Sequence, residues 1–298
     1  TNGQTTGSFI VQSGNKNCDV LVVGGGGGGA TNFWGPGGRG AGGGGAGGVV
    51  YRIFNLTAGT YEIKVGRGGV RGATNATGSG VKVHGMRGHY SYMNGIALAG
   101  GGGGGLGHAS WSWSGGDSEG MPGTFTWRPG DKRMTGKAQG TAKDPVSGNT
   151  MTNNTTNGAS GGGTNDNTQF NAGWTEGDDN TGSVYPLGPE KGGKGGPAGS
   201  GAAAGGGGGC GTNSLGSNAS GTIGGSGRSI PITVSNNGNN ITGTSYTYGK
   251  GGDADRSAGN TREADYGCGG DGGRSGSSNI ADSGRNGGDG IVIVRYES

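Results

Sequence analysis

The chain has 298 residues, of which 85 are glycine and only 27% are apolar, too few aliphatics for a conventional core of that length. Its net charge is +3, from 22 basic and 19 acidic residues scattered along the chain, which excludes the concentrated basic face of a nucleic-acid binder. Eight prolines and no strict Gly-X-Y repeat exclude collagen, and no apolar run reaches the roughly 18–20 residues of a membrane span.

The apolar residues are gathered into strand-like runs, which argues against a disordered chain. In order these are SFIVQ (8–12), CDVLVV (18–23), GVVYRIF (48–54), TYEIKVG (60–66), VKVH (81–84) and YSYMNGIALA (90–99). From Gly107 to Thr222 there is no isoleucine; beyond it come RSIPITV (228–234), ITGTSYTYG (241–249) and GIVIVRYE (290–297). TYEIKV alternates, with Tyr61, Ile63 and Val65 on one face and Glu62 and Lys64 on the other, the pattern of a half-buried strand. IVIVRY is more uniformly apolar and reads as a central strand. No segment has a helical period. The chain is expected to be all-β, with its first and last strands in one sheet. Residues 1–105 and 223–298 form one unit, and 106–222 is an inserted, loop-rich aromatic region. The chain begins at Thr1 without a signal-peptide pattern, read as a processed chain or one that has lost its initiator Met.

The glycines need an explanation of their own. DVLVVGGGGGGA (19–30) looks like the strand and glycine-rich turn that open a dinucleotide-binding fold, and Gly24, Gly26 and Gly29 satisfy GxGxxG. That fingerprint requires a helix after it and an acidic residue about 20 positions on. The next residues in the chain are TNFWGPGGRGAGGGGAGG, which cannot be helical at about 1 kcal/mol lost per glycine. Many glycines instead fall in X-Gly-Gly triplets, beginning at Pro36, Arg67, Lys191, Lys194, Lys250, Cys268 and Asp271. An extended helix with three residues per turn has no internal hydrogen bonds. Glycine at two positions in three lets neighbouring helices approach until their backbone groups pair, with Cα–H···O contacts as a secondary term. The triplets therefore predict a packed bundle of polyglycine II helices, with Lys191, Lys194, Asp271 and Arg274 outside. The runs abut strands directly, as in LAGGGGGG (98–105) and GDGIVIV (288–294), which separates them from flexible linkers.

Little in the side chains points to catalysis. His84, His89 and His108 lack metal-ligand spacing, no GxSxG elbow is present, and the acidic turns GGDADR (251–256) and EGDDN (176–180) lack EF-hand spacing. No cofactor or metal is expected. Cys18, Cys210 and Cys268 form no CxxC pair; Cys210 and Cys268, both among glycines, are a candidate disulfide. Trp111, Trp113, Trp127 and Trp174 lie in the insertion with Tyr185. They read as a sugar-stacking surface, as a contact between subunits, or as the small core of an aliphatic-poor insertion. Sequons stand at Asn55, Asn75, Asn153, Asn154, Asn218 and Asn240, relevant if the chain is exported by a host that N-glycosylates.

VLVVGGGGGG, AGGVVYRIFNLTAGTYEIKVGRGG, GIALAGGGGGG and GGDGIVIVRY together resemble the glycine-rich domain of bacteriophage tail fibres and related virion proteins. The match covers roughly residues 8–105 and 245–298. A similar arrangement occurs in the glycine-rich extracellular part of receptors of the anaplastic-lymphoma-kinase type. The resemblance implies a jelly-roll-like β-sandwich from which sheaves of three-fold glycine helices grow, and it supplies no catalytic residues. The expectation is a non-enzymatic structural or adhesive protein of a virion fibre or fibre tip, extracellular, meeting a host-surface glycan or outer-membrane receptor through its loops. The alternative is a subunit of a self-assembling extracellular filament, a homo-oligomer in which the arm TNGQTTGSFIVQ adds a strand to a neighbour's sheet. That arm should pair in trans in a filament and in cis in a fibre tip.

Overall fold

The computed structural model describes residues 4–31, 41–72, 85–86, 88–99, 101–102, 104–105, 142–143, 150–151, 223–231, 245–254, 265–273 and 284–296. Regular structure among them is entirely strand: β1 (Gln4–Val23), β2 (Val49–Gly66), β3 (Ser91–Met93), β4 (Ala97–Ala99), β5 (Ala142–Lys143), β6 (Thr150–Met151), β7 (Arg228–Ile230), β8 (Tyr246–Tyr248) and β9 (Ile291–Tyr296). The all-β class is as expected. One antiparallel sheet runs β4-β3-β2-β1-β9, and β5–β6 and β7–β8 are separate two-stranded ribbons. First and last strands do share a sheet. Among the described residues, however, IVIVRY is an edge strand beside β1 rather than a central one.

Four of the expected strands are two. SFIVQ and CDVLVV belong to β1, a strand of 20 residues, and GVVYRIF and TYEIKVG belong to β2, of 18. The ladder slips between Val11 and Asn15, where Gln12, Ser13 and Gly14 oppose Ala58 alone. Gly14 takes φ 68°, a left-handed value cheap only for glycine. The hairpin folds back there. Phe9, Val11, Tyr61 and Ile63 of its far half pack with Cys18, Val20, Val22, Val50, Met93 and Ala97 in one core. Phe9 meets Tyr296 edge to face at 5.6 Å across this fold. On the other side of the sheet, Leu21, Val23, Val49 and Ile293 pack under Ile230 and Tyr248 of the β7–β8 ribbon. Val20–Val23 are thus buried on both faces, which explains their unbroken apolar run. The described layers are a curled antiparallel sheet and, on its other face, the small β7–β8 ribbon. YSYMNGIALA, expected as one run, is the hairpin β3–β4, turning at Gly95 with φ 71°.

Beyond the sheet the strands continue as glycine segments in the same register, and the repeat changes from two residues to three. The β1–β2 ladder, ending at Val23↔Val49, goes on as Gly24 N–H to Gly48 O, Gly27 to Gly45 and Ala30 to Gly42. The β1–β9 ladder continues as Gly26 to Gly288 and Gly29 to Arg285, and β3–β4 as Gly88 to Gly102 and Gly85 to Gly105. A sheet strand has two neighbours. A three-fold helix points its amides in three directions and can have six.

Segment 24–30 has six. Every amide from Gly24 to Ala30 donates: Gly24, Gly27 and Ala30 to segment 42–48, Gly25 and Gly28 to 85–89, Gly26 and Gly29 to 285–288. Its carbonyls accept from Gly69 and Gly72, from Gly102 and Gly105, and from Gly270 and Gly273. These bonds are 2.7–3.0 Å long, ordinary for N–H···O. Parallel and antiparallel neighbours mix around the centre. The ring segments bond to one another as well, as in Met86 to Val70, Gly287 to Gly69, Gly288 to Cys268 and Gly44 to Gly270. The backbone lattice does here what an aliphatic core does elsewhere, since buried amides and carbonyls find partners without side chains.

Candidate functional site

The bundle has two ends. At one, Gly24, Gly48, Gly66 and Gly290 join the strands of the sheet; at the other lies Thr31, fully buried. Thr31 Oγ1 donates to Gly72 O at 2.5 Å and accepts from Gly284 N–H at 3.2 Å, tying three segments together at this far end. The chain leaves the described bundle at the same end after Thr31, Gly72 and Gly105, and re-enters it at Gly85 and Gly284. Gly224, just past the 106–222 insertion, bonds through its N–H to Asp253 Oδ1 at 2.7 Å, beside the far end of segment 249–254. One short face of the bundle therefore carries the connections to 32–40, 73–84, 106–222 and 274–283.

Acidic and amide side chains complete the lattice where a backbone acceptor is missing. Gly68 N–H donates to Asp289 Oδ1 at 2.8 Å and Arg71 N–H to Asn286 Oδ1 at 2.9 Å, so a pair spaced by three serves a pair spaced by three. Asp253 N–H donates to Asp271 Oδ1 at 2.8 Å. Asp271, expected outside, is only half-buried and holds this bond; Cys268, first residue of its triplet, is buried. The outward positions of two ring segments carry Arg67 and Val70, then Met86 and His89, all exposed. Asn286 and Asp289 were missed by motif reading because each looks like a turn residue; the signal was their three-residue spacing between glycines.

At the sheet end a polar cluster closes the ribbon. Tyr246 donates to Asp265 Oδ1 at 2.7 Å, and its ring lies 4.8 Å from Tyr248 and 6.4 Å from Tyr266. Burial, then the Asp265 hydrogen bond, pushes the Tyr246 phenol well up; burial takes Tyr248 to about 12. The Cys268 thiol accepts from Lys250 N–H at 3.3 Å, and burial raises it to about 11 against that bond. Tyr92 donates to Glu62 at 2.8 Å and is pushed up, first by burial and then by that carboxylate. Such phenols and thiols stay protonated and poorly nucleophilic at neutral pH.

Of the expected site residues, Trp111, Trp113, Trp127, Trp174 and Tyr185 lie outside the described residues, as do Cys210 and the sequons at Asn75, Asn153, Asn154, Asn218 and Asn240. Asn55 is exposed on β2 and donates to Asn17 Oδ1 at 2.9 Å. Cys18 and Cys268 are buried free thiols. Residues Gln4–Val11 of the N-terminal arm pair in cis with Gly59–Gly66 of β2. Among the described residues no group of three His, Cys, Asp or Glu could hold a metal ion, and no helix is long and apolar enough to cross a membrane.

No curated protein matches the chain. A family model described as a glycine-rich domain matches residues 1–234, which include the central segment and four of its six neighbours; the other two, 268–273 and 285–288, come from the remainder. The chain belongs to this glycine-rich domain family.

Proposed function

We propose that the protein is a non-enzymatic structural and adhesive component of a virion fibre or fibre tip, exposed to the host surface, with the glycine bundle as a stiff mount for the connections at its far end. The observation that carries this reading is that 32–40, 73–84, 106–222 and 274–283 all join the bundle at the Thr31 end, away from the sheet. A lattice with its amides and carbonyls paired resists local opening. It can therefore present a binding surface without a large ordering cost at the moment of contact. The sequence of the 106–222 insertion contains Trp111, Trp113, Trp127 and Trp174, and indole faces among Asn and Asp suit a surface glycan. The test is binding of the purified chain to host cells and a glycan array, beside a variant with 106–222 replaced by a short Gly-Ser linker and an unchanged circular dichroism spectrum in the strand region. Loss of binding in the variant supports the reading; equal binding by both, or continuous filaments of the native protein in electron micrographs, would overturn it.

A further inference from the structure

Segment 284–296 is held almost wholly by residues far away in sequence. Its 284–290 part fills the groove between segments 67–72 and 268–273 and against the central segment. Gly26, Gly29 and Gly267 donate to Gly288, Arg285 and Asp289; Arg285, Gly287, Gly288 and Gly290 donate to Asp271, Gly69, Cys268 and Gly66. Gly284 adds its bond to Thr31 Oγ1, and Asn286 and Asp289 accept from Arg71 and Gly68. The rest is β9, paired with β1 from Cys18↔Tyr296 to Val23↔Ile291. Arg295 donates through Nε to Asp19 Oδ2 at 2.7 Å and through its terminal nitrogen to the same oxygen. Without this segment the groove would keep buried amides at Gly26 and Gly29 with no acceptor, a state folded proteins avoid.

We infer that this groove is a peptide-binding site whose ligand is a glycine segment continuing into an apolar strand, and that it takes the 284–296 segment of a second copy where copies are held side by side. Recognition is by backbone register, a third-residue carboxylate and amide, and the Asp19 ion pair, all of which a second copy supplies unchanged. The connection from Gly273 to Gly284 runs through RSGSSNIADS (274–283); its two ends bond to Ala30 and Thr31, adjacent residues of the central segment. A hinge joining a self-contained element to the body is what exchange between identical chains requires. A tether of ten residues gives the segment's own copy an effective concentration on the order of millimolar. Dilute chains should therefore close on themselves, and chains crowded to that range on a particle or in a fibre should exchange.

Cys18 makes the test direct, because it stands opposite Tyr296, and facing residues of an antiparallel pair lie within disulfide reach. The full chain carrying Tyr296→Cys, an exposed position, would be unfolded and refolded with oxidised glutathione at about 1 μM and about 1 mM, the upper value matching that effective concentration. Wild type treated alongside reveals any bridging by Cys210. On non-reducing gels the variant should run as a cross-linked monomer when refolded dilute. Refolded concentrated, it should give covalent dimers and higher species that reductant collapses and wild type lacks. Monomer alone at both concentrations would overturn the exchange. An unbridged Cys18 under both conditions would overturn the β1–β9 register on which the site is built.

Discussion

Gly26→Ala tests the bundle at its centre. A Cβ on Gly26 would sit closer than 3.0 Å, a separation real Cβ atoms essentially never show, to the carbonyl carbon and oxygen of Cys268 and to Gly267 O. All of these are backbone atoms, so no side chain can swing away and whole segments must move apart. The bonds at risk are Gly26 N–H to Gly288 O at 2.9 Å and Gly69 N–H to Gly26 O at 2.7 Å. Two buried backbone groups losing partners cost about 1–3 kcal/mol each. Stiffening of the unfolded chain by alanine returns only about 0.4–1 kcal/mol. The net expectation is a loss of about 1–6 kcal/mol. Gly59→Ala is the control, because a Cβ there meets nothing within 4 Å; it should stay within about 1 kcal/mol of wild type. Urea unfolding monitored by circular dichroism gives both values, with an unchanged m-value certifying the same transition. A Gly26→Ala protein as stable as the Gly59→Ala protein would refute the close-packed backbone lattice.

Thr31→Val should cost about 1–3 kcal/mol by leaving Gly72 O and Gly284 N–H without their hydroxyl, and Thr31→Ser should recover most of it in the same unfolding assay. Asp289→Ala removes the acceptor of Gly68 N–H and should cost about 0.5–1.5 kcal/mol; Asp289→Asn, which keeps an oxygen there, should lie nearer wild type by urea midpoint. The Cys268 thiol is raised from 9.0 to about 11 by burial, so the unfolded chain releases that proton first. The stability tied to the protonated thiol is complete below pH 9 and lost as pH climbs through 11. Measured at successive pH values, wild type should lose more stability over that window than Cys268→Ser; parallel curves would contradict the buried-thiol assignment.

Much of this architecture was legible because glycine at two positions in three has few other uses. The X-Gly-Gly triplets at Arg67 and Lys250 mark segments that do enter the bundle, and the strand runs abutting glycine mark where the ladders change period. The alternation in TYEIKV marks β2. The fold-back at Gly14 was not legible: periodicity sees one strand on either side of a polar stretch, and only tertiary packing shows that the ladder runs through it. IVIVRY looked central because it is apolar on both sides, yet its flanks are covered by the folded-back hairpin and by the β7–β8 ribbon, not by strands at both edges. Asn286, Asp289 and Thr31 carry no local signal beyond spacing, since their partners lie 215, 221 and 41 residues away.

The central claim is that segment 24–30 is enclosed by six hydrogen-bonded neighbours, and amide hydrogen exchange measures this directly. In the native protein, Gly24 to Ala30 should exchange only through global unfolding, as slowly as Val20 to Val23 of the core strand and with the same denaturant dependence. Exchange of these glycine amides at the rate of an unstructured peptide, while Val20 to Val23 stay protected, would contradict it.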